Sequence, residues 1–221
     1  MQVTLLHNTP LWVADKAIGK CWDKPTPDNI DSEKYMPGCN TERINRVANK
    51  NKHSSTIEHL YYTFDIDGIS RACLQELARH RMASLSVKST RYTLKELKNE
   101  APFSVEGENF FYSAKKYLVG TGKIRTDMMS VKALENLRQL LTLGYSNDIA
   151  KYCLPEAYKT SLVWTINARS LQNFLQLRTS KSALWEIRDL AYTIYNNLPE
   201  DHKYLFKECV NERTDNTKEH N

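Results

Sequence analysis

The segment HLYYTFDIDGISRACLQELARH, residues 59–80, changes its hydrophobic period midway and so indicates the class of the fold. From His59 to Asp67, aromatic and β-branched residues alternate with polar ones, which predicts a strand that Gly68 ends. From Ile69 to His80, apolar residues recur at the spacing of one helix face. A strand followed directly by a helix predicts a fold that mixes both kinds of element.

The rest of the chain adds further strands and several amphipathic helices. The pattern predicts strands over 1–10 (closed by Pro10) and 162–166, with a third around 109–112. It predicts helices over 11–20, 41–51, 94–99, 127–143, 147–154, 168–178 and 183–197, with a last one ending near residue 210. Residues 22–40, rich in Pro, Asp, Asn and Gly, predict a long loop. We expect one α+β domain over 1–210 and a disordered polar tail over 211–221.

Composition narrows the class of protein and the kind of site. The chain has 221 residues and a net charge of +5, which suits anionic partners of any kind. No apolar run approaches the roughly 20 residues that cross a bilayer, so we expect a soluble, cytoplasmic protein without a membrane partner. Five scattered cysteines without a CxxC motif argue against a disulfide framework and a metal site. We expect Cys73 and Cys153 to be buried in helices.

Glycine is scarce, which limits how a phosphate could be bound. The sequence has seven glycines and no GxGxxG motif, so a dinucleotide would not be held on a Rossmann turn. Gly120-Thr-Gly-Lys123 superficially resembles a P-loop, but Tyr117 stands where the first glycine should be. We interpret it as a plain turn.

Two helices carry polar residues on the face that should meet the core. Glu76 and His80 lie within the apolar stripe of the helix over 69–80. Asn167 and Arg178 lie within the stripe of the helix over 168–178. A buried ionic group needs a partner. The partner could be internal, as in a Glu–His pair or a Glu beside Arg178, or it could be a ligand in a pocket.

The stretch from Arg79 to Thr93, RHRMASLSVKSTRYT, combines basic residues with hydroxyls. We expect most of it to be a loop after the helix. Hydroxyls and backbone N–H groups among Arg and Lys are the donors that phosphate oxygens need. A solvated basic face is the alternative interpretation.

At these residues the chain resembles the flavin-dependent thymidylate synthases. Arg79-His80-Arg81, seven residues and then Ser89 match the RHR-x7-S signature of that family. Further matches are His53-x4-Glu58-His59, Ser89-x-Arg91-Tyr92, WTINARSLQNFLQLR over 164–178, and Trp185-Glu-Ile187. The resemblance runs from about residue 50 to 190.

The resemblance implies a fold and a reaction. The fold would be a single α+β domain whose mostly antiparallel sheet is flanked by helices. The reaction would be the reductive methylation of dUMP to dTMP, with hydride from reduced FAD, the carbon from methylenetetrahydrofolate, and NADPH reducing the flavin. The enzyme would be a homotetramer with sites between subunits.

The same resemblance assigns residues to ligands. FAD would contact one group of side chains: His53, Ser55, Glu58, Arg79, His80, Arg81, Asn167, Arg169 and Asn173. dUMP would contact another group: Glu76, Arg79, Val87, Lys88, Ser89, Thr90, Arg91, Lys151 and Arg178. Arg178 would be the catalytic cation facing the pyrimidine, where it stabilises developing negative charge without an enzyme nucleophile. Serine would need an adjacent base to act as a nucleophile, so Ser89 is interpreted as a nucleotide ligand.

Three positions depart from the family pattern. Glu76 stands where many members have Gln, Val87 where many have Glu, and Lys151 where Arg is usual. Lysine keeps the charge of arginine but loses its bidentate fork. We interpret these changes as altered nucleotide binding rather than lost activity.

Other functions compete with this interpretation. An RNA- or single-stranded-DNA-binding module would interleave aromatic residues with the basic ones, and none lies between Arg79 and Arg91. A cysteine-dependent methyltransferase would use Cys153, which has no histidine nearby in sequence. A flavin oxidoreductase that lacks methyl transfer would differ only in activity.

Overall fold

A computed structural model describes residues 1–21, 39–107 and 109–213. The loop expected over 22–40 falls outside these residues except for its last two positions. The expected tail is likewise outside them from residue 214.

The described residues form a four-stranded antiparallel sheet in the order β1-β2-β4-β3. The strands are β1 (Gln2–Asn8), β2 (Tyr61–Ser70), β3 (Ala83–Val87) and β4 (Lys159–Asn167). β2 and β4 lie in the centre and β1 and β3 at the edges. The predicted α+β class with an antiparallel sheet is therefore confirmed.

The helices connect these strands. They are α1 (Trp12–Lys20), α2 (Thr41–Asn45), α3 (Arg71–Ala78), α4 (Thr90–Thr93), α5 (Phe111–Ala114), α6 (Ile124–Thr142), α7 (Asn147–Ala150), α8 (Ala168–Arg178) and α9 (Trp185–Asn196). A π-helical turn follows α2 over Arg46–Lys50. Short 3-10 turns span Ser54–Ile57, Leu94–Asn99, Lys151–Cys153, Glu200–Leu205 and Lys207–Cys209.

Three sequence predictions are corrected here. Gly68 does not end β2, because it adopts φ +74° inside the strand, which continues to Ser70. The strand predicted around 109–112 is absent from the described residues there, and α5 begins at Phe111 instead. The loop predicted after the RHR triplet contains β3, so its hydroxyls lie partly on an edge strand.

Both central strands pass into a helix without a loop. Ser70 caps α3 by accepting a hydrogen bond from Cys73 N at 3.0 Å. Asn167 caps α8 in the same way, from Ser170 N at 2.8 Å. Each cap satisfies a backbone donor that the first helical turn leaves without a partner.

The chain divides into two compact units. Unit 1 comprises residues 1–2, 66–79 and 86–163. Its core is built around α6, whose buried residues Val131, Leu134, Leu137 and Leu141 follow the predicted helical period. Tyr117 and Tyr158 pack against this core with their rings stacked, 25° apart in plane.

Of the described residues, unit 2 comprises 3–21, 39–65, 80–85 and 164–213. Its core contains an aromatic row in which Phe64 packs on Trp164 and Trp164 packs edge-on to Phe174, with 5.0 Å between the last two ring centres. All three rings are fully buried. Phe174 belongs to α8, the helix that also carries Arg169, Asn173 and Arg178, three of the polar residues predicted to bind a ligand.

No helix within the described ranges is both long and apolar enough to span a bilayer.

Candidate functional site

The RHR triplet marks the end of α3, and its side chains differ in exposure. Arg79 is the C-cap residue of α3 and its side chain is 74% exposed. His80 is buried, while Arg81 is exposed. The helix ends at Ala78, two residues earlier than the period predicts, so the predicted burial of His80 is confirmed but it lies just beyond the helix.

His80 and Arg178 contact each other in unit 2. The sequence placed each of them in the apolar stripe of a different helix. Arg178 Nε donates to His80 Nε2 at 2.9 Å. The imidazole packs edge-on against Phe174, with ring centres 5.0 Å apart. Because Phe174 lies one turn before Arg178 on α8, the helix supplies both the apolar and the polar contact of this histidine.

A polar surface in unit 2 combines α8 with the 3-10 turn over Ser54–Ile57. Arg169 Nη1 bonds Glu58 Oε1, joining the two elements through an ion pair between partly exposed side chains. Asn173 lies one turn after Arg169 and is exposed. His53 and Ser55 at the 3-10 turn are exposed as well. Apart from His80 and Arg81, which follow α3, the predicted cofactor residues of unit 2 therefore lie on or beside these two elements.

Asn167 has a structural task that its predicted role did not include. Its side-chain oxygen caps α8 and its side chain is buried. The cap explains why an amide lies within the apolar stripe.

In unit 1, Arg91 and the segment around α7 contact each other. Arg91 Nε and Nη2 donate to the Asp148 carboxylate at 2.8 and 3.3 Å. Asn147 Nδ2 donates to the Arg91 carbonyl oxygen at 2.6 Å. Lys151 lies one turn further along this segment and is half-buried. The segment carrying Ser89 and Arg91 thus meets the segment carrying Lys151.

The remaining predicted nucleotide residues of unit 1 lie at the end of β3 and on α3. Val87 is 38% exposed and Lys88 is exposed, with its backbone N–H donating to Ser161 O at 2.8 Å. Thr90 is buried at the start of α4. Glu76 is paired with Arg79 at 3.9 Å, one turn along α3.

The glycine-containing turn over 120–123 is a plain turn, as predicted. Gly122 has φ +74°, and Asp127 accepts hydrogen bonds from Thr121 N at 2.8 Å and Gly122 N at 3.1 Å. A P-loop would direct such N–H groups at a phosphate, whereas here an aspartate of α6 takes them.

The cysteine predictions have different outcomes. Cys73 is buried as expected, but Cys153 is exposed. The predicted continuous helix over 147–154 breaks after Ala150 into a 3-10 turn. Each 3-10 residue advances about 120° instead of 100°, which turns Cys153 away from the core.

The sequence did not predict Asp148 and Asn147 as partners of Arg91. It also did not predict β3 as a strand. The alternation Ala83-Ser-Leu-Ser-Val87 was a strand signal that its hydroxyls concealed. No local signal pointed to Asp148, since 57 residues separate it from Arg91.

Comparison with known proteins identifies close relatives. Residues 4–202 match the family model described as thymidylate synthase complementing protein. The flavin-dependent thymidylate synthase of Wolinella succinogenes is 60% identical over 212 residues, which is 96% of this chain and 99% of that protein. The enzyme of the same name from Campylobacter jejuni is 58% identical over 95% of this chain and 98% of its own.

A solved structure is similar along nearly the whole chain. The crystal structure of a thymidylate synthase X from Helicobacter pylori, with FAD and dUMP, superposes with a TM-score of 0.86 at 50% sequence identity. The match covers 96% of this chain and 100% of that one.

Proposed function

Because this chain belongs to the flavin-dependent thymidylate synthases, we propose that it converts dUMP to dTMP by reductive methylation with FAD, methylenetetrahydrofolate and NADPH. The observation that carries the proposal is the hydrogen bond between His80 and Arg178. It joins the RHR triplet to the last residue of the NARSLQNFLQLR motif. A nucleic-acid-binding function is not favoured by these relatives.

The polar surface of unit 2 has the chemistry that FAD requires. Arg169 and Arg81 are exposed cations that suit a pyrophosphate, and Ser55, His53 and Asn173 add exposed hydrogen-bonding groups. When bound, FAD supplies the hydride for the uracil ring. The Glu58–Arg169 ion pair fixes the guanidinium beside the 3-10 turn, so the cation is oriented before the cofactor arrives.

Arg178 is proposed as the catalytic cation. Arginine keeps its proton in proteins, so it can donate to a carbonyl oxygen of the pyrimidine as negative charge develops there. The bond from its Nε to His80 fixes the plane of the guanidinium. A fixed donor reorganises little during the reaction, which is the source of electrostatic catalysis.

The dUMP phosphate is proposed to bind in unit 1, at Ser89, Arg91 and Lys151. The contacts of α7 with Arg91 support this, because they place a lysine and an arginine on neighbouring segments. Arg91 is engaged with Asp148 at an exposed position and can exchange that carboxylate for a phosphate. Lys151 contributes a point charge in place of a guanidinium fork.

The departures Glu76 and Val87 are proposed to alter the surroundings of the nucleotide. Arg79 lies 3.9 Å from the Glu76 carboxylate and offsets part of its charge. Glu76 can then accept the N3–H of uracil with less repulsion from an electron-rich ring. Val87 replaces the acidic side chain of many members with an apolar one, beside the exposed Lys88, while Thr90 is proposed to act through its backbone.

The family resemblance also supports a quaternary arrangement and a location. We propose a cytoplasmic homotetramer in which residues from different subunits bind one nucleotide. Sedimentation of the purified protein measures the assembly. A monomer that is active at nanomolar concentration would contradict it.

Release of tritium from dUMP labelled at C5, with NADPH and methylenetetrahydrofolate present, tests the function. The purified protein should carry or take up FAD with its visible absorbance, and dUMP should perturb that spectrum. We expect tritium release to depend on all three ligands. Flavin binding without tritium release would instead identify an oxidoreductase that lacks methyl transfer.

A further inference from the structure

Unit 1 contains a cavity of about 220 Å³ whose lining shares only Lys88 with the residues assigned to dUMP. Its wall includes Lys88 directly after β3, the start of β4 and the stacked rings of Tyr117 and Tyr158. The polar lining includes Lys88, Lys116, Lys159 and Thr160. All lining residues belong to this unit, whereas the polar surface proposed to bind FAD belongs to unit 2.

Thr160 in this wall is a buried polar residue with an unmet hydrogen bond. It is 3% exposed, and its hydroxyl has no partner among the parts of the chain that the structure describes. A buried hydroxyl without a partner is destabilising, and native proteins keep few of them. A ligand in the cavity would supply the missing partner.

The lysines make the cavity electropositive. Burial, together with the charge of nearby Lys115, lowers the pKa of Lys159. Its Nζ donates to the Lys115 carbonyl oxygen at 2.6 Å, which uses one of its three protons. Lys116 is paired with Glu100 at 2.7 Å, and Glu96 is an acidic residue in the wall. Because Glu100 compensates Lys116, Lys88 and Lys159 face the single lining carboxylate, and this excess of positive charge favours an anion.

The kind of donor and the size of the cavity define the anion. Lysine binds phosphate as a point charge, and lysines and hydroxyls donate in several directions, which suits a tetrahedral oxyanion. The volume lies below the 300 Å³ or so at which pockets for drug-sized ligands begin. An entire nucleotide would not fit inside.

We propose that this cavity is a phosphate-binding site, held by Lys88, Lys159 and Thr160 and separate from the dUMP phosphate site proposed at Ser89, Arg91 and Lys151. The phosphate can be free inorganic phosphate or the exposed end of pyrophosphate. The cavity takes it without any bond being formed or broken.

Occupation of the site would affect the neighbouring nucleotide segment. Lys88 is fixed to β4 through its bond to Ser161 O, and Thr93, also in the cavity wall, donates its hydroxyl to Ser89 O at 3.1 Å. Two lining residues thus flank the residues proposed to bind dUMP. This consequence rests on the proposed function, whereas phosphate binding itself does not.

Binding of inorganic phosphate to the complete FAD-loaded chain tests the proposal, with dUMP at saturation so that its own phosphate site is filled. Isothermal titration calorimetry should show one further phosphate site per chain. We expect Thr160→Val and Lys159→Gln each to weaken phosphate binding about tenfold or more, since each removes a bond to a charged group. Thr160→Ser keeps the hydroxyl and should bind within about twofold of the parent.

Stability separates a binding role of Thr160 from a packing role. Without phosphate, Thr160→Val should unfold at a higher temperature than the parent, because it removes an unmet hydroxyl. With phosphate added, the parent should gain thermal stability and the variant should not. Equal phosphate affinity of the parent and Thr160→Val, or no phosphate binding beside dUMP, would overturn the proposal.

Two further experiments distinguish inorganic phosphate from pyrophosphate as the ligand, and failure of the cavity site from failure of the proposed function. If pyrophosphate binds more tightly than phosphate, the cavity is open and takes a terminal phosphoryl group. If pyrophosphate binds more weakly, the ligand is free phosphate. If dUMP does not bind, the titration is repeated with Arg91→Gln. Phosphate binding by that variant supports the cavity site even though the proposed function has failed.

Discussion

Arg178 and His80 form a hydrogen bond of 2.9 Å in which the guanidinium is the donor. Since arginine does not lose its protons, His80 Nε2 must present a lone pair, so the imidazole carries its proton on Nδ1 in this contact. Phe174 packs on the edge of the same ring. The pair therefore fixes both the tautomer of the histidine and the orientation of the guanidinium.

Replacing Arg178 should separate catalysis from cofactor binding. We expect Arg178→Ala to lower the turnover number about 10²- to 10³-fold, because a positioned donor to developing charge is lost. Flavin absorbance should remain, since Arg169 and Arg81 are unchanged. Tritium release and the FAD-to-protein ratio measure the two effects. Arg188→Ala, on α9, is a matched control expected to keep full turnover. Loss of flavin with normal turnover on added FAD would contradict the assignment.

Substitutions of Arg91 and of Asp148 should change the affinity for dUMP in opposite directions. Arg91→Gln removes a proposed phosphate contact and should weaken dUMP binding about tenfold or more. Asp148→Asn removes a carboxylate that competes for Arg91 and should tighten dUMP binding by about twofold. Both side chains of this ion pair are more than half exposed, so neither change should alter unfolding by more than about 1 kcal/mol. Fluorescence titration with dUMP measures the affinities. Weaker binding by Asp148→Asn would be the opposite result.

Glu135 should make unit 1 sensitive to acid. Hydrogen bonds from Arg138 and from Phe103 N lower the pKa of Glu135 to about 2, against partial burial that raises it. A carboxyl whose folded pKa is depressed contributes stability above its unfolded pKa, near 4.3, and loses it as pH falls toward 2. Glu135→Gln should cost about 2 kcal/mol at pH 7 and remove most of the loss between pH 4.3 and 2. Urea unfolding across this range measures both. An unchanged acid profile would exclude Glu135 as its source.

Cys153 and Cys73 should differ in reactivity and not in catalysis. The exposed Cys153 should react with a thiol reagent in the native state, while the buried Cys73 should react only after unfolding. Cys153→Ser should keep tritium release within about twofold, because no enzyme thiol attacks the pyrimidine in the proposed reaction. Inactive but folded Cys153→Ser would support a cysteine-dependent mechanism instead.

The α8 part of the polar surface in unit 2 could be predicted from the sequence because its residues lie on one strongly periodic helix. The predicted bounds of α8 agree with the structure, since Asn167 is a good cap and Arg178 closes the apolar stripe. The burial of His80 also followed from its place in the period of the preceding helix.

The remaining features depended on contacts that a local pattern does not contain. The bond of Arg91 to Asp148 joins residues 57 positions apart. The cavity at Thr160 arises where Lys88, the start of β4, and Lys116 and Tyr117 meet, and strand propensity alone gives no reason to expect it. Cys153 was misplaced because the 3-10 turn begins only after Ala150, and propensity does not locate such a change of pitch.

β4 passes directly into α8, so the number of residues between Asn167 and Arg178 determines where the guanidinium lies around the helix axis. Adding one alanine within α8 would turn everything beyond it by about 100° around the helix axis. The guanidinium would then leave His80 although every side chain of the motif was still present. Such a lengthened protein should still fold, because the cap of α8 is kept, but it should have no activity. Insertions should therefore be tolerated only in loops far from the junction of β4 and α8.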